Sequence, residues 1–263
     1  MEWKISKAKI RGHSHERDFH EDNLKTYTAN DLAVIAMADG CSAVTYAEEG
    51  SEIAVNTVTQ LFSSLGSDHR IFSIPERELK REIIDTLRME FVRKSGELGC
   101  TVHDLACTLL AVVSDGIEYL AINLGDGLVG RIGACDDFMT ATPECVLADE
   151  KGRFSNETYY VSDIILNPDN TEAEGHLRMA RGRMRVGDML FVMTDGTVEC
   201  LYSHRDNRFG RLINYFASWL KTKPYYAVNS AMKRQMIERF PKITSDDCSL
   251  ALLYLESERN RPL

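Results

Sequence analysis

Three times in this chain an apolar run of strand length ends on an aspartate set against glycine. The runs are Val34-Ile35-Ala36-Met37-Ala38 before Asp39-Gly40, Ile122-Asn123-Leu124-Gly125 before Asp126-Gly127, and Phe191-Val192-Met193-Thr194 before Asp195-Gly196. A carboxylate at the exit of a buried strand has a fixed origin, yet its head can reach a cleft. Several such heads converging would repel one another unless cations neutralise them. A glycine directly after the acid lets a backbone carbonyl approach a cation closely. Asp-Gly is also the commonest turn dipeptide, and Asp115-Gly116, between two strand-like runs, reads as a turn. The recurrence of strand, acid and glycine sets the other three apart. Two more acidic boxes accompany them: Arg17-Asp18-Phe19-His20-Glu21-Asp22, and Asp246-Asp247 ahead of the last apolar run.

The rest of the chain alternates between two hydrophobic periods. Asn23 to Tyr27 and Leu32 to Ala38 read as a hairpin. From Ala47 to Leu65 the apolar positions Ile53, Ala54, Thr57, Val58, Leu61, Phe62 and Leu65 share one helical face. A second helix is expected from Pro75, with Leu79, Ile83, Leu87 and Phe91 as its face; proline and early glutamates suit a first turn. Leu105 to Val113 and Ile117 to Leu124 predict two strands, with Leu128 to Ile132 continuing the meander. Ala134 to Gly175 lacks a period and reads as loops with short strands. Met189 to Thr194 predicts a strand, Arg208 to Leu220 and Tyr225 to Arg239 helices, and Ser249 to Leu255 a closing strand. This order predicts an α+β fold in layers, sheet on sheet with helices outside. No repeat or linker divides it, so 1–263 is expected to be a single domain.

Composition narrows the function. At 44% hydrophobic and 27% charged residues the chain is that of a folded enzyme and not of a disordered segment. A net charge of −9 without a basic stripe argues against nucleic acid as partner. Seven cysteines without a Cys-x-x-Cys pair predict buried thiols in a reducing compartment. Neither a signal-like N-terminus nor a bilayer-length apolar run is present, so a cytoplasmic protein without membrane contact is expected.

Taken in order, the motifs resemble the type-2C (PPM-type), metal-dependent serine/threonine protein phosphatases, in a divergent bacterial-like form. The resemblance spans nearly the whole chain: Arg17-x-x-x-Glu21-Asp22, Ala38-Asp39-Gly40, Ala106-Cys107-Thr108-Leu109-Leu110, Leu124-Gly125-Asp126-Gly127, Thr194-Asp195-Gly196 and Ser245-Asp246-Asp247-Cys248-Ser249. It implies a four-layer α-β-β-α sandwich, two antiparallel sheets between helix pairs. It implies Mn²⁺ or Mg²⁺ as cofactor, two ions and room for a third. Asp39 would bridge the two ions. Asp195 and Asp246 would complete one site, while the Gly40 carbonyl, with Glu21 acting through water, would serve the other. Asp22 would hold water on the metal, Asp126 would help a third ion, and Arg17 would clamp the substrate phosphate. The implied partner is a phosphoprotein, in opposition to a serine/threonine kinase, and a monomer is expected.

The chain also departs from the pattern. The loop after Gly40 is Cys41-Ser42-Ala43-Val44, where animal relatives place a histidine at the position of Cys41, and the serine and arginine that often follow the Asp126 motif are missing. Two other functions are compatible with the same motifs: a catalytically inactive phosphoprotein-binding module on the same fold, and phosphodiester cleavage, which the acidic balance disfavours. His13, His15 and His20 read as solvated or hydrogen-bonded, with His15 an outside candidate for a phosphate contact. Cys41 is either a reactive thiol beside the site or an inert one. The arginines from Arg178 to Arg185 read as a charged strand edge.

Overall fold

A computed structural model describes residues 1–13, 20–29, 31–149, 158–166 and 171–257. Along the chain the strands and helices run β1 (Glu2–Ile10), β2 (Asn23–Ala29), β3 (Leu32–Ala38), α1 (Ala47–Gly66), α2 (Arg70–Ser73) and α3 (Glu76–Leu98). There follow β4 (Leu109–Ser114), β5 (Glu118–Leu124), β6 (Leu128–Ile132), β7 (Glu144–Leu147), α4 (Val161–Leu166), α5 (Thr171–His176) and β8 (Arg178–Arg183). The chain closes with β9 (Met189–Met193), α6 (Asp195–Leu201), β10 (Tyr202–Ser203), β11 (Arg208–Phe209), α7 (Arg211–Thr222), α8 (Tyr225–Arg239) and β12 (Cys248–Ser257).

Two five-stranded sheets carry the fold, ordered β1-β12-β9-β6-β7 and β2-β3-β4-β5-β8, and every pairing within them is antiparallel. The period of two in the central strands then produces three apolar layers. In β3, Val34 and Ala36 face α1 and α3, whose Phe62, Leu79, Leu87 and Phe91 belong to the same cluster. Ala33, Ile35 and Met37 face the other way and meet Leu190, Val192, Ala251 and Leu253 of the second sheet. The alternate residues of that sheet, among them Phe191, Leu250 and Leu252, pack on Phe216, Leu220, Met232 and Met236 of α7 and α8. A strand covered on both faces has no polar side to show, which explains why β3, β4, β9 and β12 are continuous apolar runs. The α+β sandwich expected from the sequence is therefore the observed one.

Several elements differ from expectation. β1 is a full edge strand, paired along its length with β12. Lys7 and Lys9 face solvent and Lys4 is half-buried on the other face, so polar residues hide the alternation and the N-terminus reads as plain polar sequence. Leu105 closes a short 3-10 turn, and its strand begins only at Leu109. β6 does not continue the β4–β5 meander. Gly125, with φ of 109°, turns the chain out of one sheet, and β6 pairs with β9 and β7 in the other. The aperiodic stretch contains two six-residue helices, too short to reveal a period of 3.6. Arg208 belongs to the small β10–β11 ladder, and the helix starts at Arg211. The Asp115 turn is as read: its Oδ1 accepts the N–H groups of Ile117 and Glu118 at 2.9 and 2.8 Å. β8 forms the arginine-bearing edge of its sheet, with Arg181 donating to the Phe72 carbonyl at 3.2 Å.

The layer between the sheets is the test of this architecture. Leu253 is fully buried there. Leu253→Ala should cost about 2–5 kcal/mol, the sum of lost transfer free energy and a cavity. Met89→Ala on α3, where the side chain is 65% exposed, should cost under about 0.5 kcal/mol. Urea titrations with unchanged slope would check both; equal effects would contradict the layering.

Candidate active site

The registers bring the acids together before any side chain is considered. Pairing Asn23 with Ala38 sets Asp22, just before β2, beside Asp39, just after β3. Pairing Leu250 with Met193 sets the start of β12, and with it Asp246, near Asp195 at the end of β9. Pairing Met37 with Leu110 and Leu109 with Leu124 places Thr108 between Asp39 and the Gly125-Asp126 turn. Thr108 locks this corner: its N–H donates to the Asp39 carbonyl at 2.8 Å, and its Oγ1 accepts the Asp39 N–H at 3.0 Å.

Two glycines are needed for closeness. A Cβ on Gly40 would lie 2.5 Å from the Ala47 carbonyl oxygen, where α1 begins. A Cβ on Gly196 would lie 2.3 Å from the Asp247 carbonyl oxygen. Any side chain at Gly196 would push the Asp246-Asp247 segment away from Asp195.

A cavity of about 160 Å³ results, lined by Glu21, Asp39, Gly40, Cys41, Ser42, Thr108, Asp126, Thr158, Tyr160, Asp195 and Asp246. None of these described lining residues is Lys or Arg. Glu21 is 2% exposed, and its carbonyl accepts the Gly40 N–H at 3.2 Å and the Ser51 hydroxyl at 2.6 Å. Behind the wall Asp22 is completely buried, faces the Asp39 carboxyl, and accepts the Thr194 hydroxyl at 3.1 Å through Oδ2. Its Oδ1 has no hydrogen-bond partner among the described residues.

The electrostatics follow from this crowding. Burial, reinforced by the charge of Asp247 and opposed by hydrogen bonds, pushes the Asp22 carboxyl up to about 6. Asp39 is held well above the usual carboxylate range by burial and then by the charges of Asp22 and Asp195. Asp195 is likewise raised by burial and by Asp126, Asp246 and Asp22. Burial also raises Asp126, against a hydrogen bond from the Thr158 hydroxyl. Asp247 behaves oppositely. Although burial would raise it, its contact with His20 and the N–H groups of Gly12 and Glu21 hold it below the usual range. His20 Nδ1 lies 2.8 Å from its Oδ2, and the two N–H donors lie at 2.7 and 2.9 Å.

Of the residues singled out from sequence, Asp22, Asp39, Gly40, Asp126, Asp195, Asp246 and Glu21 are brought to this one place. Arg17 and His15 lie outside the described residues. His20 is tied to Asp247 and does not face the cavity. Cys41 lies in the cavity wall, and the Tyr160 hydroxyl contacts its thiol. Sequence reasoning missed Thr158 and Tyr160, which follow an aperiodic stretch and carry no motif. It assigned no role to Asp247 or Thr108, though both lie inside quoted motifs.

Among the described residues no group of three or more His, Cys, Asp or Glu side chains stands ready to hold one ion. The donor set nonetheless suits hard divalent cations. It consists of carboxylate, hydroxyl and carbonyl oxygens, includes an unpartnered buried carboxylate oxygen, and holds like charges that protons or cations must offset.

In the metal-free protein these raised carboxyls bind protons more tightly folded than unfolded, so they destabilise the fold near neutrality. Stability should therefore rise as pH falls from 7.5 through about 6, the Asp22 value, toward the ordinary carboxylate range near 3.8. Asp247 does not cancel this, because its depressed value withholds its loss until still lower pH. Thermal melts in EDTA should show a midpoint several degrees higher at pH 5 than at pH 7.5. The gain should shrink in Asp39→Asn; a midpoint that falls over this range would refute the crowding argument.

Residues 11–237 match the family model described as Protein phosphatase 2C. No curated protein matches the sequence. Among solved structures, the S. agalactiae serine/threonine phosphatase is 19% identical, with 97% of this chain and 100% of that one covered and a TM-score of 0.58. The serine/threonine phosphatase Stp1 from Staphylococcus aureus is 13% identical, with 98% and 96% covered and a TM-score of 0.61. RsbX in complex with magnesium is 12% identical, with 97% and 96% covered and a TM-score of 0.57. At these identities the likeness is one of fold.

Proposed function

The chain belongs to the protein phosphatase 2C family, and we propose that it is a metal-dependent phosphoserine/phosphothreonine protein phosphatase working through an activated water. The observation that carries this reading is the convergence of Asp22, Asp39, Asp126, Asp195 and Asp246 from separate chain segments on one small, oxygen-lined corner. No structural need explains such mutual repulsion, which a cation would convert into binding.

Mn²⁺ or Mg²⁺ in this corner would supply neutralising charge and an acidified water at neutral pH. Asp39, Asp195, Asp246 and the Gly40 carbonyl are the groups proposed to hold the ions, with Asp126 available to a third. Glu21 and Asp22 are proposed to orient water. Asp22 Oδ1, buried and without a hydrogen-bond partner among the described residues, is suited to accept a proton from it. Arg17, carried over from the family motif, is proposed to grip the phosphate through the bidentate geometry of a guanidinium. A phosphoprotein substrate, and a kinase acting in opposition, follow from the same reading.

The Cys41-Ser42-Ala43-Val44 loop favours a second reading, a phosphoprotein-binding module without turnover. The acids weigh against it, because a binding module has no use for them. Calorimetric titration with Mn²⁺ separates the two: tight saturable binding together with phosphate release from a phosphopeptide supports the enzyme.

Asp39→Asn should abolish phosphate release without unfolding the protein. An amide offers one neutral acceptor oxygen in place of two anionic ones. Its melting point in EDTA should equal or exceed the parent's, since a buried like charge is gone, while the stabilisation by Mn²⁺ should largely vanish. Parental turnover, or a much lower melting point in EDTA, would remove Asp39 from the site.

A further inference from the structure

A second and larger concavity, about 670 Å³, opens where the end of α6 meets α7, α8 and the turn after α8. Leu201, Leu212, Trp219 and Phe240 line it with apolar surface. Tyr215 and Ile243 stand at its mouth, 45% and 60% exposed. Arg211, Arg239 and Lys242 are also among its lining residues, and no Asp or Glu is. None of the three cations has an ion-pair partner among the described residues; Arg239 Nε donates only to the Gln235 side chain at 2.9 Å. On a chain of net charge −9, three uncompensated cations around one apolar groove are not background.

We infer that this groove binds a small amphipathic carboxylic acid, whose apolar body lies along Trp219 and Phe240 and whose head meets Arg211, Arg239 and Lys242. The volume falls within the range of about 300–1,000 Å³ in which small-molecule sites lie. Guanidinium and ammonium groups at the mouth of an apolar cleft match an anionic head on an apolar tail. A protein partner is the poorer fit. A stable protein interface takes roughly 800 Å² from each partner, whereas of the apolar side chains in this concavity only Tyr215 and Ile243 are largely exposed.

The groove is one short segment away from the acids. α6 starts at Asp195 and ends at Leu201 in the groove wall. The turn bearing Phe240 and Ile243 leads through Thr244, whose hydroxyl accepts the Asp246 N–H at 3.2 Å. An occupant that shifts either segment moves a carboxylate, so on the phosphatase reading it would act as an effector of cation binding. Occupancy itself does not depend on that reading.

The test uses the full chain carrying Trp3→Phe, which leaves Trp219 as its one tryptophan. Decanoate, added below its micellar concentration and without metal or substrate, should change Trp219 fluorescence saturably. It should bind at least about tenfold more tightly than decan-1-ol, the worth of one charged hydrogen bond. Arg239→Gln with Lys242→Gln should reduce decanoate to the affinity of the alcohol, while Ile243→Glu should weaken both. Melting points near the parent's would show that the variants fold. Absence of saturable binding, equal affinity for acid and alcohol, or indifference to these substitutions would overturn the site. A parental dimer that Ile243→Glu turns into a monomer in sedimentation would assign the groove to a second copy instead. Calorimetry with Mn²⁺, with and without decanoate, should show a several-fold change in affinity; equal affinities would overturn the coupling to the acids.

Discussion

Like charge confined in a buried corner is the constraint around which this molecule is arranged. Two carboxylates a few ångströms apart, with little water between them, repel far more than at the surface. Here Asp22, Asp39, Asp126 and Asp195 share one region with Asp246, and burial first, with neighbouring negative charge after it, raises the carboxyls of those first four. Left to relax, such groups would turn outward. They are held by strand ends locked in register, by the Thr108–Asp39 pair of hydrogen bonds, and by glycines where backbones meet. The fold, and not any mutual attraction, keeps the acids in place.

The neighbouring residues Asp246 and Asp247 show how one dipeptide divides this task. Asp246 lines the cavity, while Asp247 turns away from it and binds Gly12, His20 and Glu21. Those contacts favour its anionic form, so it works as a permanent acceptor and not as a group awaiting a proton. They also tie Gly12, His20 and Glu21 to the start of the last strand. The family motif gives a role to Asp246 alone; only the three-dimensional arrangement shows what Asp247 does beside it, which is to hold Gly12, His20 and Glu21.

Legibility in the sequence tracked burial. β3, β9 and β12 are covered on both faces, so their apolar runs announced them, and the acids at their ends were found with them. β1 was hidden because half of its positions are lysine or other polar residues on an edge. α4, α5 and α6 were hidden because six or seven residues cannot display a helical period. The same limit applied within the site. Asp39, Asp126 and Asp195 share a local pattern, whereas Thr158 and Tyr160 reach the cavity from a stretch with none, and only tertiary structure places them there.

The site also depends on the apolar layer that lies between the sheets. Asp39 extends from a strand of one sheet, and Asp195 and Asp246 flank strands of the other. Asp22 and Asp126 stand on two of the connections that cross between the sheets, β1 to β2 and β5 to β6. The acids can converge only if the sheets stack at one fixed offset. That offset is set by Ile35 and Val112 packed in one buried layer with Val192 and Leu253. Side chains in such a layer interlock at crystal-like density and do not slide continuously. A core substitution that loosened the stack by even a fraction of an ångström would therefore reach the cavity as a change in carboxylate spacing, and core packing and site geometry are a single property of this fold.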